Sequence, residues 1–135
     1  MEQIPILYDG DCGFCRATLG VLLTWDRRRR FRPVAIQSEE GARLLDGMPA
    51  EQRLASAHAV IPGAPGPVSA GAAAAPVLRE LPAGEPFAAL ADRLPRATER
   101  GYRWVADHRS SLSRLVPGAL KERADALVRE RSRPA

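Results

Sequence analysis

The sequence predicts an α/β fold: a small sheet sandwiched between layers of helix, in the order β-α-β-α-β-β-α, with additional helices at the C-terminal end. Three observations carry this. Short apolar runs alternate with longer stretches in which apolar residues recur every three or four positions. Pro- and Gly-rich punctuation separates them, most densely at Pro62-Gly63-Ala64-Pro65-Gly66. Both cysteines of the chain, Cys12 and Cys15, stand where the first apolar run gives way to the first helical pattern.

Taken in order, residues 4–8 read as a buried first strand, with Pro5 near its start. From residue 12 to about 25 a helical pattern runs through Cys15, Leu19, Leu22 and Leu23, and is followed by arginines that suit a helix C-terminus. Residues 31–36 form a second strand, and Pro33 within it points to an edge or a bulge. Residues 37–47 read as a short helix, with Ser38 as its cap and Gly47 as its stop. Pro49 opens a further short turn that runs to Leu54. Residues 58–61 and 67–70 are the third and fourth strands, antiparallel across the Pro-Gly turn. Residues 72–81 are helical, with Pro76 in the first turn or at a kink. The order so far is a thioredoxin-like topology. Three further helices are expected at 86–94, 98–108 and 111–131, the last with a possible break at Pro117-Gly118. Leu120, Ala124, Leu127 and Val128 give that last helix an apolar stripe against alternating charge.

The chemistry sits in Tyr8-Asp9-Gly10-Asp11-Cys12-Gly13-Phe14-Cys15. A Cys-x-x-Cys that opens a helix after a strand is a redox motif context. With Asp11 as the cap, both cysteines fall in the first helical turn, on one face, at a separation that a disulfide can span. Cys12 then stands by unpaired N–H groups and the positive end of the helix dipole, which favour thiolate over thiol. Cys12 is the expected nucleophile and Cys15 the resolving thiol that displaces the product. Gly13 leaves Cys12 open to an incoming sulfur, and Phe14 offers an apolar edge. Asp9 and Asp11 have two readings: carboxylates that tune the dithiol or take a proton from Cys15, or side chains that fix the bend and cap the helix.

The same residues resemble the signature of the DCC family of thiol–disulfide oxidoreductases. Phe31-Arg32 through Ile36-Gln37-Ser38 resembles that family's second strand and Gln-Ser turn, and Tyr102-Arg103-Trp104-Val105-Ala106 with Arg109 resembles its C-terminal segment. The resemblance spans most of residues 4–110. It implies a thioredoxin-like fold and dithiol–disulfide chemistry at Cys12 and Cys15. Three departures stand out. No proline lies near Ser56-Ala57, where thioredoxins carry one facing the dithiol. Gly71 is followed by Ala72 and Ala73 where the family often has a polar pair. The segment after Arg109 is long for the family. The chain accordingly divides into a thioredoxin-like domain at 1–110 and a helical C-terminal extension at 111–135, packed on the domain or partly flexible.

Charge and composition narrow the classes. The chain has 135 residues, enough for one domain with a core, and a net charge of +4. No apolar stretch reaches the roughly 20 residues of a membrane span, and no secretory signal is visible. A cytoplasmic location is expected, where dithiols are transient and catalytic. A zinc site within one chain would need more ligands than two cysteines with the distant His58 and His108 supply, which leaves a zinc shared between two chains as the remaining metal arrangement. No metal or bound cofactor is expected. The basic run at 27–32 reads as a solvated helix end rather than a nucleic-acid contact, and it could attract an acidic protein or the carboxylates of glutathione. Trp25 and Trp104 are expected in the core, with His58 and His108 at the surface or at strand ends.

The expected activity is thiol–disulfide exchange with a protein disulfide or a small thiol such as glutathione, the dithiol being re-reduced by a cellular thiol system. The rival is a non-catalytic thioredoxin-like binding module or redox sensor acting through the C-terminal helices.

Overall fold

Ile4–Tyr8 forms the first strand, β1, and its side chains alternate between two buried faces. The structure, a computed structural model, describes residues 3–132. Ile4 and Ile6 join one core with Leu19, Leu23, Phe31, Val77, Leu81 and Val128, while Leu7 joins a second with Val34, Ile36 and Leu45. Helices therefore cover both faces of the sheet. Ile4, Leu7, Leu23, Phe31 and Leu45 are almost wholly buried, each worth about 1.5–3 kcal/mol over an exposed side chain.

Helix α1 (Gly13–Trp25) follows β1, and β2 (Phe31–Ala35) lies parallel to β1 in the register Ile4 to Phe31. Helices α2 (Glu39–Leu44) and α3 (Ala50–Ala55) lead to β3 (His58–Ala59), which runs antiparallel to β1, and β4 (Val68–Ser69) runs antiparallel to β3. The strand order is β2-β1-β3-β4, so Pro33 lies on an edge strand. This is a mixed α/β fold, compatible with a thioredoxin-like one. Ser38 caps α2 through its hydroxyl, 3.0 Å from the Gly41 N–H, and Gly47 turns the chain beyond the helix with φ +87°.

The third and fourth strands are shorter than the apolar runs suggest. Prolines 62, 65 and 67 cannot donate to a ladder and bracket the hairpin. Val60 still donates to the Pro5 carbonyl at 3.0 Å. Ala70, with φ +54°, leaves β4 for a 3₁₀ turn at Ala70–Ala73 and then α4 (Ala74–Arg79), which holds Pro76 in its first turn. Helices α5 (Glu85–Arg93) and α6 (Pro95–Asp107) follow. The last helical stretch is two helices, α7 (Arg109–Leu115) and α8 (Gly118–Ser132), parted at Val116 and Pro117.

Helix α8 lies directly on α1. A Cβ on Gly20 would stand 2.5 Å from the Ala124 Cβ and 2.8 Å from its Cα, so only glycine lets the two backbones meet there. Val128 enters the main core. The buried Asp26, just past α1, accepts from the Arg30 and Phe31 N–H groups at 2.9 and 3.0 Å and faces Arg131 of α8 at 3.6 Å. Of the expected stripe on α8, Ala124 and Val128 are buried and Leu127 packs on the core, while Leu120 is exposed.

One expectation about the large side chains needs correction. Trp25 does pack on the core, donating its indole N–H to the Pro82 carbonyl at 2.7 Å. Trp104 is 56% exposed and stacks on His108, because α6 turns Tyr102 and Ala106 inward and Trp104 outward. His58 does begin a strand, but it is 1% exposed rather than at the surface. Its Nε2 lies 2.9 Å from the Arg53 carbonyl, which only accepts, so the proton sits there and Nδ1 accepts from the Ser69 hydroxyl at 2.6 Å. In the basic run, Arg29, Arg30 and Arg32 each meet a carboxylate, on Glu130, Glu80 and Glu40.

Candidate functional site

The loop between β1 and α1 is held by its own side chains. The Asp9 carboxylate accepts from the Asp11 N–H at 2.9 Å and from the Gln37 amide at 2.7 Å, while the Gln37 carbonyl oxygen accepts from the Gly10 N–H at 3.0 Å. Arg16 donates to the Gly10 carbonyl at 2.7 Å and pairs with Asp125 of α8 at 2.9 Å. The bend is thus fastened to the turn after β2 and to the C-terminal helix.

The cap differs from expectation. Asp11 is exposed and does not cap α1. Cys12 occupies that position itself, in extended conformation, and its sulfur accepts the Cys15 N–H at 3.2 Å. Cys12 therefore stands one residue before the first turn and Cys15 within it. The shift changes the chemistry: the Cys12 sulfur now satisfies one of the orphan amides at the positive end of α1.

Both thiols are free and half-buried, but their settings differ. Cys15 is pushed up to about 12, first by burial, then by its hydrogen bond to Cys12 and the charge there, and also by Asp9. The Arg109 guanidinium acts in the opposite direction.

Cys15 also forms part of the wall of a cavity of about 280 Å³. Ile6, Leu19, Leu22 and Phe14 make its apolar side, and Tyr102, Val105 and Arg109 close it from α6 and α7. Ala55, Ser56 and Ala57 form the opposite lip, where the thioredoxin pattern would carry a proline. The Tyr102 hydroxyl accepts the Ala57 N–H at 2.7 Å. Burial raises the Tyr102 phenol, that hydrogen bond works against the rise, and Cys15 adds to it. Tyr8 lines the same cavity beside β1.

On the other side of the motif, the bare face of Gly13 is turned to α7 and α8. A Cβ there would lie 3.2 Å from the Ser113 hydroxyl and 3.7 Å from the Lys121 ammonium, which itself donates to Ser113 at 3.2 Å. Gly13 thus admits the C-terminal helices next to the dithiol.

Residues 6–115 match the model of the DCC1-like thiol-disulfide oxidoreductases. The chain belongs to that family. A DCC1-like protein is by family a redox protein, and the two cysteines of its motif are adjacent here. No curated protein and no solved structure gives a match. The family match ends before α8, yet α8 contributes Asp125 and Lys121 beside the motif. Among the described residues no helix is long and apolar enough to cross a membrane, and no group of three or more His, Cys, Asp or Glu side chains is arranged to hold a metal.

The motif's own residues, Asp9 to Cys15, all gather at this one place. The sequence does not reveal that Tyr102 and Arg109 face Cys15 while Ser113 and Lys121 face Gly13. The resemblance of the Tyr102 to Arg109 segment to the family, and the near-helical spacing of Tyr102, Ala106 and Arg109, mark those residues, but neither tells which element that face meets.

Proposed function

We propose that this DCC1-like protein exchanges its dithiol with a disulfide through Cys12 as nucleophile and Cys15 as resolving thiol, on a thioredoxin-like fold. The Cys12 thiolate attacks one sulfur of the substrate disulfide, forming a mixed disulfide and expelling the first thiolate. Cys15 then loses its proton and attacks the Cys12 sulfur. The Cys12–Cys15 disulfide forms, the second thiolate leaves, and two electrons have passed to the substrate. The observation that carries this reading is the asymmetry of the pair: Cys12 accepts an amide hydrogen bond at the helix N-terminus, whereas burial holds Cys15 as a thiol. A buried thiol with its proton retained favours attack by Cys12 first.

Asp9 acts by holding the bend and, through its charge, by keeping Cys15 protonated; Asp11, exposed and with its N–H tied to Asp9, helps to shape the bend. Phe14 supplies apolar surface beside the pair. The chain divides into a thioredoxin-like domain at 1–110 and a C-terminal extension at 111–135, whose described part, to residue 132, packs on the domain through Val128; the residues beyond it lie outside the described ones. The reaction needs no bound cofactor. The protein works in the cytoplasm, as a reductant of protein disulfides or small disulfides such as oxidised glutathione, and a cellular thiol system restores it.

Equilibration in glutathione buffers, with acid trapping and intact mass, tests this. A reversible two-electron couple between roughly −180 and −270 mV, with a glutathione adduct trapped on Cys12 in the Cys15→Ser variant, is expected. A pair that never closes would overturn the exchange reaction.

A further inference from the structure

We propose, resting on the exchange reaction above, that the cavity beside Cys15 binds a low-molecular-weight disulfide with an apolar body and a carboxylate. Its volume of about 280 Å³ is nearly twice the roughly 150 Å³ of an engineered cavity that takes up benzene. One aromatic ring or a branched alkyl chain fits with room for a linker. The wall made by Ile6, Leu19, Leu22 and Phe14 offers no side-chain hydrogen-bonding group, so a peptide-like tail would be desolvated there without replacement partners.

Arg109 is the cationic group of the cavity, and Tyr102 lines it from the neighbouring helix. Arg109 donates to the Leu54 carbonyl at 3.3 Å and meets no carboxylate among the described residues. Its remaining N–H groups form a fork that suits a carboxylate. Asp9 also reaches the cavity, but one of its oxygens is committed to the Asp11 N–H and the Gln37 amide. With the apolar body against the wall and the carboxylate on Arg109, the substrate disulfide is held in the cavity that Cys15 lines, and Cys12, whose sulfur accepts the Cys15 N–H at 3.2 Å, is the thiol next to it. The reaction balances without a further reactant: the reduced protein and one disulfide give the Cys12–Cys15 disulfide and two small thiols.

The test mixes the reduced full chain rapidly with three disulfides and follows oxidation by acid quench and intact mass. The first is dithiobis(phenylacetate), whose methylene insulates the carboxylate from the sulfur. The second is its neutral bis-amide, and the third is the small polar hydroxyethyl disulfide. The acid should oxidise the dithiol about ten-fold faster than the bis-amide, as a partly desolvated charge-assisted pair supplies. Arg109→Gln should bring that ratio close to one. Any effect of Arg109 on Cys15 itself slows both probes alike, so the ratio isolates recognition. Ala106→Leu and Ala55→Leu, which fill the cavity from opposite walls, should slow both aromatic disulfides relative to hydroxyethyl disulfide. Equal rates for acid and bis-amide, a ratio that survives Arg109→Gln, or filling variants that slow all three probes alike would overturn the site. No oxidation by any of the three would instead overturn the exchange reaction, and this substrate class with it.

Discussion

The two sides of one Cys-x-x-Cys motif are built from different material. On the Cys12 side stand backbone amides and, against the neighbouring Gly13, the polar pair Ser113 and Lys121, brought by α7 and α8. On the Cys15 side lies a largely apolar cavity closed by α6 and the start of α7, with Arg109 and Tyr102 among its polar groups. The motif's spacing is symmetric in this respect, since both residues are cysteines at one helix start. The difference comes from what the later helices bring to each. A thiol at a capping position exchanges hydrogen bonds with the backbone, while a thiol one turn in is desolvated, and desolvation is the largest influence on Cys15.

The strongest way to break this contrast is to remove one thiol at a time. In Cys15→Ser, iodoacetamide should alkylate Cys12 readily at neutral pH. In Cys12→Ser, the loss of the neighbouring sulfur relieves part of the rise on Cys15, but burial remains. Its alkylation near neutral pH should therefore be slower by about 100-fold, increasing with pH as the thiol ionises. Equal rates in the two variants, followed by mass spectrometry, would mean that the burial of Cys15 does not govern its reactivity.

The second lever is Gly20. A valine there drives a side chain into the Ala124 backbone, and the helix pair must separate. Overpacking of this kind costs about 1–3 kcal/mol, read as a lower urea midpoint. The effect should be one-sided as well. Displacing α8 withdraws Asp125 from Arg16 and Lys121 from the neighbourhood of Gly13, so Cys12 alkylation should change. The cavity on the Cys15 side, walled by α6, should keep its protection of Cys15. If both thiols became equally exposed, the two sides would be one cooperative unit.

Local features of the chain are legible in its sequence: the apolar first strand, the dithiol at the first helix, Ser38 as a cap and the break near Pro117 depend on neighbours within a few residues. What stays hidden depends on distant pairings. Nothing near Asp26 in the sequence marks its carboxylate, which faces Arg131 from 105 positions away. The Tyr102 hydroxyl meets an amide 45 positions back. Sequence pattern misplaces Trp104 and leaves the burial of His58 open for the same reason, since burial of a single polar or aromatic side chain is decided by its partners and not by its type. The cap shifts by one residue from its expected place because Asp11 and Cys12 both carry acceptors. The backbone takes the one whose sulfur reaches the Cys15 amide.

His58 offers a smaller, pH-dependent probe of the Cys15 side, as it anchors β3 next to Ala57. Burial lowers its value below the ordinary one near 6.5. Below that ordinary value the unfolded chain takes up a proton that the folded chain refuses. His58 therefore contributes stability that is complete above about pH 6.5 and is lost as pH falls toward the folded value, at no more than about 1.4 kcal/mol per pH unit. Urea unfolding between pH 7 and 5 should show this decline, and His58→Gln should flatten it. A decline that is unchanged in the variant would assign it to other groups.

Asp9 should give the smallest effect and the sharpest sign. Its charge raises Cys15, the least of the influences that do so. Asp9→Asn retains an oxygen for the Asp11 N–H, so the bend should persist while the charge goes. Cys15 then ionises more easily, and the resolving step should quicken about two-fold at fixed pH, measured as release of glutathione from a mixed disulfide preformed on Cys12. The opposite sign has a definite meaning. A carboxylate that receives the Cys15 proton during attack would make the asparagine variant slower, and slower most of all at low pH, where hydroxide cannot replace it. One Asp9 oxygen is already committed to the Asp11 amide and Gln37, so quickening is the expected result.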